Sequence, residues 1–233
     1  MPRAARFALG FVVFSPMNSG SSERYGWDMD IWPVIHAERE ALASDLGSLQ
    51  ETQWSTPSLC TQWSVRDVLA HMTATAKMSP PAFFVKLAGS GFNFGELQGK
   101  NIAAETGASP ADTLAGFEAV VTSTGHPPGP LDTMLGETLV HSEDIRRALG
   151  IKHAYPTEAV VQAAEFFKGS NLLIGTKRRI TGLTLRATDT EWSTGTGPEV
   201  TGPMIDLLIA MTGRKAANSE LSGEGVETLT ARS

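Results

Sequence analysis

The feature that most limits what this chain can fold into is a change of hydrophobic period near residue 180. Upstream, apolar residues recur every three or four positions in stretches divided by Pro, Gly and Ser. Downstream, Leu183, Leu185 and Ala187 alternate with Thr184, Arg186 and Thr188. The first period is that of helices burying one stripe, the second that of a strand burying one face. An α+β chain is expected: a helical bundle over residues 29–177, then a small α+β domain over residues 178–233. No internal repeat is present.

Punctuation along the chain places the elements. A first helix is expected from Ile31, with Pro33 in its first turn where a missing N–H costs nothing, to about Leu49. Trp54 to Gln62 reads as a loop. Ser64 and Asp67 have the spacing of a capping box, opening a helix whose stripe is Val65, Val68, Leu69 and Met72, with His71 at its margin. Ser79-Pro80-Pro81 ends it. The following 25 or so residues read as a long connection whose Phe83, Phe84, Phe92 and Phe94 serve core packing or wall a pocket. Gly89-Ser-Gly91 within it follows no strand and so is no dinucleotide loop. Further helices are expected from Ser109-Pro110 to before Gly125, from Pro130 to Leu149 with Gly150 as stop, from Thr157 to Ile174, and from Pro203 to Met211. The tail from Leu221 to Leu229 is expected as a strand.

Composition excludes several functions. Hydrophobic residues make up 41% of the 233, enough for a substantial core, and the net charge of −6 argues against a nucleic-acid partner. The one basic run, Lys177-Arg178-Arg179, reads as a solvated helix end rather than a binding patch. A single cysteine, Cys60, rules out an internal disulfide and suits a reducing, cytoplasmic setting. It reads as a buried small hydrophobe, because no His is close to it in sequence. Residues 1–28 differ from the rest. Arg3 and Arg6 precede the apolar run Phe7 to Phe14 and a Ser/Gly stretch, which is too short to span a bilayer and lacks a signal-peptide cleavage site. They read as an extension from an early start codon, with Met17 or Met29 the first residue; neither a membrane nor a nucleic acid is expected as partner.

The chemistry-bearing spacing is Glu137 and His141, in Gly-Glu-Thr-Leu-Val-His-Ser-Glu-Asp-Ile. Four apart, they share one helix face a turn from each other and can grip one metal ion if a third ligand arrives from elsewhere. His71 is the best candidate for that third. Two His and one carboxylate leave a tetrahedral zinc with an open position, the arrangement of a catalytic site. His36 and Glu40 have the same spacing and act as a control. His36 is spaced with Arg39 and Glu40 while Ile35, Leu42, Leu46 and Leu49 form the buried face, so His36 reads as solvated. His141 lies on a stripe with Met134, Ile145 and Ala148 and is held against the core. The spacing alone leaves two readings open, a metal-ligating pair and a half-buried polar pair.

Three motifs in order carry a family resemblance. Trp54-x-x-Pro57-Ser-Leu-Cys60-x-x-Trp63-Ser-Val-Arg-Asp67-Val-Leu-Ala-His71 resembles the opening of the mycothiol-dependent maleylpyruvate isomerase family, in the DinB-like group of metal-binding four-helix bundles. Glu137-Thr-Leu-Val-His141-Ser-Glu-Asp144 is similar to its second motif. Ala187-Thr-Asp189-x-x-Trp192, Val200-x-Gly202, Asp206-Leu-Leu and Gly213-Arg214 resemble its C-terminal domain. The resemblance implies that His71, Glu137 and His141 take the metal positions and that Arg214 falls on an arginine used near the substrate. It implies a divalent metal, zinc by preference, and mycothiol as thiol cofactor. The activity implied is cis–trans isomerisation of an electrophilic small molecule, or transfer of the thiol to it. Asp144 would orient His141 or face solvent. Two other classes stay open: a non-catalytic small-molecule binder of sterol-carrier type, and a metal-free regulatory bundle.

Overall fold

The computed structural model describes residues 29–171 and 174–233. The early-start reading of residues 1–28 therefore lies outside the described residues. Helix α1 (Ile31–Leu46) is capped by Asp30, whose side chain accepts the Trp32 N–H at 3.2 Å. In α2 (Val65–Ala76) both halves of the capping box form: Ser64 Oγ accepts the Asp67 N–H at 3.2 Å, and Asp67 Oδ2 accepts the Ser64 N–H at 2.9 Å. Such a cap is worth about 1 kcal/mol, and it fixes the register in which His71 leaves the helix.

The stretch after Ser79, expected as a connection, is instead two helices, α3 (Pro80–Gly89) and α4 (Phe94–Glu105). The sequence signal was present but served two helices at once. Ser79-Pro80-Pro81 stops α2, while Ser79 accepts the Ala82 N–H and the prolines occupy the first turn of α3. Phe84, Phe92 and Phe94 point outward, against the expected core role.

Helices α5 (Pro110–Glu118), α6 (Asp132–Leu149) and α7 (Thr157–Lys168) follow, and Gly150 ends α6 as expected. Helix α2 packs against α4, α5 and α6, and α6 also packs against α1 and α7. Gly136 lets α6 approach α7: a Cβ there would lie 2.2 Å from the Phe167 ring.

After the short α8 (Thr176–Ile180) come β1 (Thr184–Ala187), β2 (Ser193–Gly195) and β3 (Glu199–Gly202), in the order β2-β1-β3. Strand β2 is antiparallel to β1 and β3 parallel to it, with Leu185 facing Thr194 on one side and Val200 on the other. The chain therefore crosses beneath the start of β1 between residues 195 and 199. Gly197 makes this possible: its φ is +137°, and a Cβ would lie 2.1 Å from the Gly182 carbonyl oxygen. Helix α9 (Met204–Met211) closes the sheet's inner face, and the tail forms α10 (Val226–Ala231) where a strand was expected. Only a single bridge, Thr201 to Ser222, gives that segment any strand character.

Two cores result, and α6 serves both. Leu135 and Leu139 join α7, α9, Leu185, Trp192 and Val200. Ile145 joins Leu42, Leu46, Trp54, Leu69, Met72 and Phe117. A fully buried Leu contributes about 1.5–3 kcal/mol, so α6 is held from both sides while its remaining faces carry polar groups.

Candidate metal centre

Helix periodicity sets Glu137, His141 and Asp144 on one face of α6, and the capped α2 brings His71 opposite. The structure gathers His71, Glu137 and His141: one donor atom from each lies within 4.8 Å of the others. The His71 and His141 rings meet edge to face, 5.0 Å between centroids. Trp63 walls the pair, 4.9 Å from the His71 ring and 6.2 Å from the His141 ring.

Each donor is in a state a cation can use. Burial, reinforced by repulsion from His141, pushes the His71 imidazole down to about 3, so it is neutral with a lone pair free. His141 donates from Nδ1 to Asp144 Oδ2 at 2.9 Å, which fixes the proton there and leaves Nε2 as a lone-pair donor. Glu137 is the least settled of the three. Both its carboxylate oxygens are buried and without a hydrogen-bond partner among the described residues. The Thr75 hydroxyl beside it donates instead to the His71 carbonyl oxygen at 3.0 Å. Burial raises the Glu137 carboxyl, against the opposing pull of His141, of Arg39 and of the Thr75 hydroxyl close by. An unpaired buried carboxylate costs folding free energy unless something cationic joins it. Two imidazole nitrogens and a carboxylate oxygen are a donor set suited to zinc, so the residues present fit a divalent cation.

Arg214 reaches the site through Asp144. Its Nε donates to Oδ1 at 3.0 Å and its Nη2 to Oδ2 at 2.8 Å, a bidentate clamp. Burial would raise the Asp144 carboxyl, but the hydrogen bonds from His141 and Arg214 outweigh it and hold it low. Of the two positions the sequence allowed for Asp144, the structure shows the buried one, beside His141.

Cys60 is also at the site. The Leu59 N–H donates to the Asp144 carbonyl oxygen at 3.2 Å, and Ser58 closes a tight turn onto Trp63. This sets Cys60 Sγ within 4.8 Å of donor atoms of His141 and Asp144. Distance along the sequence was the wrong guide. The thiol is pushed up to about 11, by burial first and then by Asp144, against the pull of Arg214. It holds its proton at neutral pH.

Sequence reasoning missed Arg39. Placed with His36 on the solvated side, it is fully buried, donates from Nη1 to the Ser123 carbonyl oxygen at 3.0 Å, and sets its charge against Glu137. The signal was available: Ile35, Arg39, Leu42 and Leu46 form one continuous helical stripe. His36 is half-buried against Trp32, ring centroids 6.0 Å apart, rather than solvated.

Comparison with known proteins bears on the same region. Residues 35–124 match the family model of the mycothiol maleylpyruvate isomerase N-terminal domain. That match covers less than half of the chain. The matched stretch runs from within α1 to just beyond α5 and so includes His71, whereas Glu137, His141 and Arg214 follow it. Two crystal structures of a mycothiol-dependent maleylpyruvate isomerase, one of a histidine-to-alanine mutant, share the fold beyond that domain. They superimpose with TM-scores of 0.59 and 0.58 at 15% and 14% identity, over 83% of this chain and 91% of theirs. No curated protein matches the chain. Among the described residues no helix is long and apolar enough to cross a membrane.

Proposed function

We propose that this chain is a metal-dependent enzyme in which a low-molecular-weight thiol, mycothiol by family resemblance, attacks an electrophilic small molecule. The observation that carries the reading is the convergence of His71 from α2 with Glu137 and His141 from α6, with both Glu137 oxygens buried and unpartnered. A divalent cation held there, zinc by donor set, supplies the charge that keeps a thiol deprotonated at neutral pH. The reaction is addition of the thiol sulfur to an electron-poor centre. Rotation and elimination then give isomerisation, and release of the conjugate gives thiol transfer.

The chain's own residues contribute orientation and charge. Asp144 holds the His141 proton on Nδ1. Arg214 holds Asp144 in place, and its N–H bonds not spent on that clamp or on the Thr212 carbonyl oxygen are offered to an anionic substrate group or to negative charge developing during attack. Trp63 shields the two imidazoles from water on one side. Arg39 offsets the Glu137 charge, so a cation at the site retains more of its own. Cys60, with its proton retained, is a neighbour rather than the attacking thiol.

Metal analysis of untagged protein tests the reading: wild type and His36→Ala should carry one divalent ion per chain, His71→Ala and His141→Ala none. Turnover of maleylpyruvate and of generic electrophiles should then require added mycothiol. Thiol-independent turnover that disappears in Cys60→Ser would overturn it.

A further inference from the structure

The basic run Lys177-Arg178-Arg179 plays no part in that chemistry. Arg178 and Arg179 line, with Gly175, Thr181 and Arg232, an open depression of about 430 Å³ between α8 and α10. Three arginines line it, and among the described residues no Asp or Glu does. In a chain of net charge −6 such a concentration of positive charge needs a cause.

Two of the three arginines have structural bonds, but none to an acid. Arg179 donates from Nη1 to the Ile174 and Met211 carbonyl oxygens at 3.0 and 2.8 Å, and from Nε to the Arg232 carbonyl oxygen at 3.3 Å. Arg232 donates from Nη1 to the carbonyl oxygens of Arg179 and Thr181 at 2.9 and 2.7 Å. These bonds pin α10 to α8 and fix both guanidinium planes, and the second terminal nitrogen of each has no hydrogen-bond partner among the described residues. The Arg178 side chain makes no hydrogen bond or ion pair among the described residues; only its backbone N–H is engaged, with Asn171. Arg179 also feels the like charges of Arg178 and Arg214. A fixed Arg179 with a spare N–H, close enough to Arg178 to feel its charge, beside a fixed Arg232 is an arrangement that an oxyanion relieves.

We infer that this depression binds the phosphate group of a small phosphorylated molecule. Three positive charges exceed what a single carboxylate balances, whereas a phosphate monoester carries up to two negative charges and three acceptor oxygens. The volume exceeds that of a bare phosphate and leaves room for a ring-sized alcohol portion, which the exposed Thr181 hydroxyl can meet. The inference does not depend on the metal centre.

Calorimetric titration at constant, physiological ionic strength tests it, with glucose 6-phosphate, inorganic phosphate and glucose as probes. Saturable binding of glucose 6-phosphate is expected, with inorganic phosphate weaker and glucose silent. Arg178→Gln should weaken binding about tenfold, the scale of one lost charge-assisted hydrogen bond. Arg178→Glu should abolish it, while Lys177→Gln, outside the depression, leaves it unchanged. Because the Arg178 side chain has no structural bond, these variants retain the fold, which their far-UV spectra would verify. The inference is overturned if no titration saturates, if Arg178→Glu binds as wild type does, or if inorganic phosphate binds as tightly as the sugar phosphate.

Discussion

Helix α6 has two polar faces, and they solve opposite problems. On one, Glu143, Arg146 and Arg147 form an ion-pair network in which Arg146 Nη2 is left without a hydrogen-bond partner among the described residues. Arg147 bridges Glu143 at 2.5 Å and Asp206 of α9 at 2.7 Å. Tyr155 donates to Glu143 at 2.9 Å and accepts from Arg146 at 2.9 Å, while Arg146 Nε reaches Asp45 of α1 at 2.7 Å. Each of the three carboxylates has a partner, and the network fastens α6 to α1 and α9. On the other face, Asp144 is saturated by His141 and Arg214, but Glu137 one turn before His141 is left open. Charges on the first face are spent on holding the fold, whereas Glu137 is held in reserve by it. The difference separates a structural ion cluster from a candidate binding site without reference to either one's sequence motif.

Substitution at Glu137 should give the largest effect and test that contrast most directly. Glu137→Gln is expected to lower metal affinity by more than about 100-fold, beyond the range typical of residues that only orient a ligand. Metal-free stability should change little, because removing a buried carboxylate without a hydrogen-bond partner offsets the loss of its attraction to Arg39. A metal-free variant that melts well below metal-free wild type would show that Glu137 is a structural charge after all. Next in size is Arg146→Met on the ion-paired face. Removing one partner from a buried ion cluster should cost about 3–5 kcal/mol in denaturant unfolding, with metal content per folded chain unchanged. Asp144→Asn should weaken metal binding about 10–100-fold by loosening His141, measured by competition with a chelator. Cys60→Ser is expected to change thiol-dependent turnover least. Iodoacetamide should alkylate Cys60 slowly near neutral pH and faster as pH rises toward about 11, since the thiolate is the reactive form.

What could be read from the sequence followed from local rules. Ser64, Asp67 and Gly150 mark helix ends by backbone chemistry that acts within four residues, and the alternation at Leu183 to Ala187 marks β1. Glu137 and His141 share a face by period alone. The tertiary neighbours were a different matter. Ser79-Pro80-Pro81 signals a stop and a start equally well, and only the packing of α4 on α2 decides for helices. Leu221 to Leu229 has residues suited to a strand, yet the sheet edge takes up only Ser222, and the rest turns into α10. Cys60 and Asp144 are 84 positions apart and meet because a Ser58–Trp63 turn folds the loop onto α6. Arg39 was misplaced for another reason: a charged residue on an apolar stripe was assigned by its charge rather than its position. Its burial reflects the Ser123 carbonyl oxygen and Glu137, both supplied by distant segments.

The Asp144–Arg214 clamp spans 70 positions of sequence, and this has a consequence for biosynthesis. His71, Glu137 and His141 all leave the ribosome well before Arg214 does. Until then Asp144 lacks its second partner, and the imidazole it steadies can turn. A nascent chain thus presents His71, Glu137 and His141 before the partner that fixes the His141 ring through Asp144, which waits for the turn after α9.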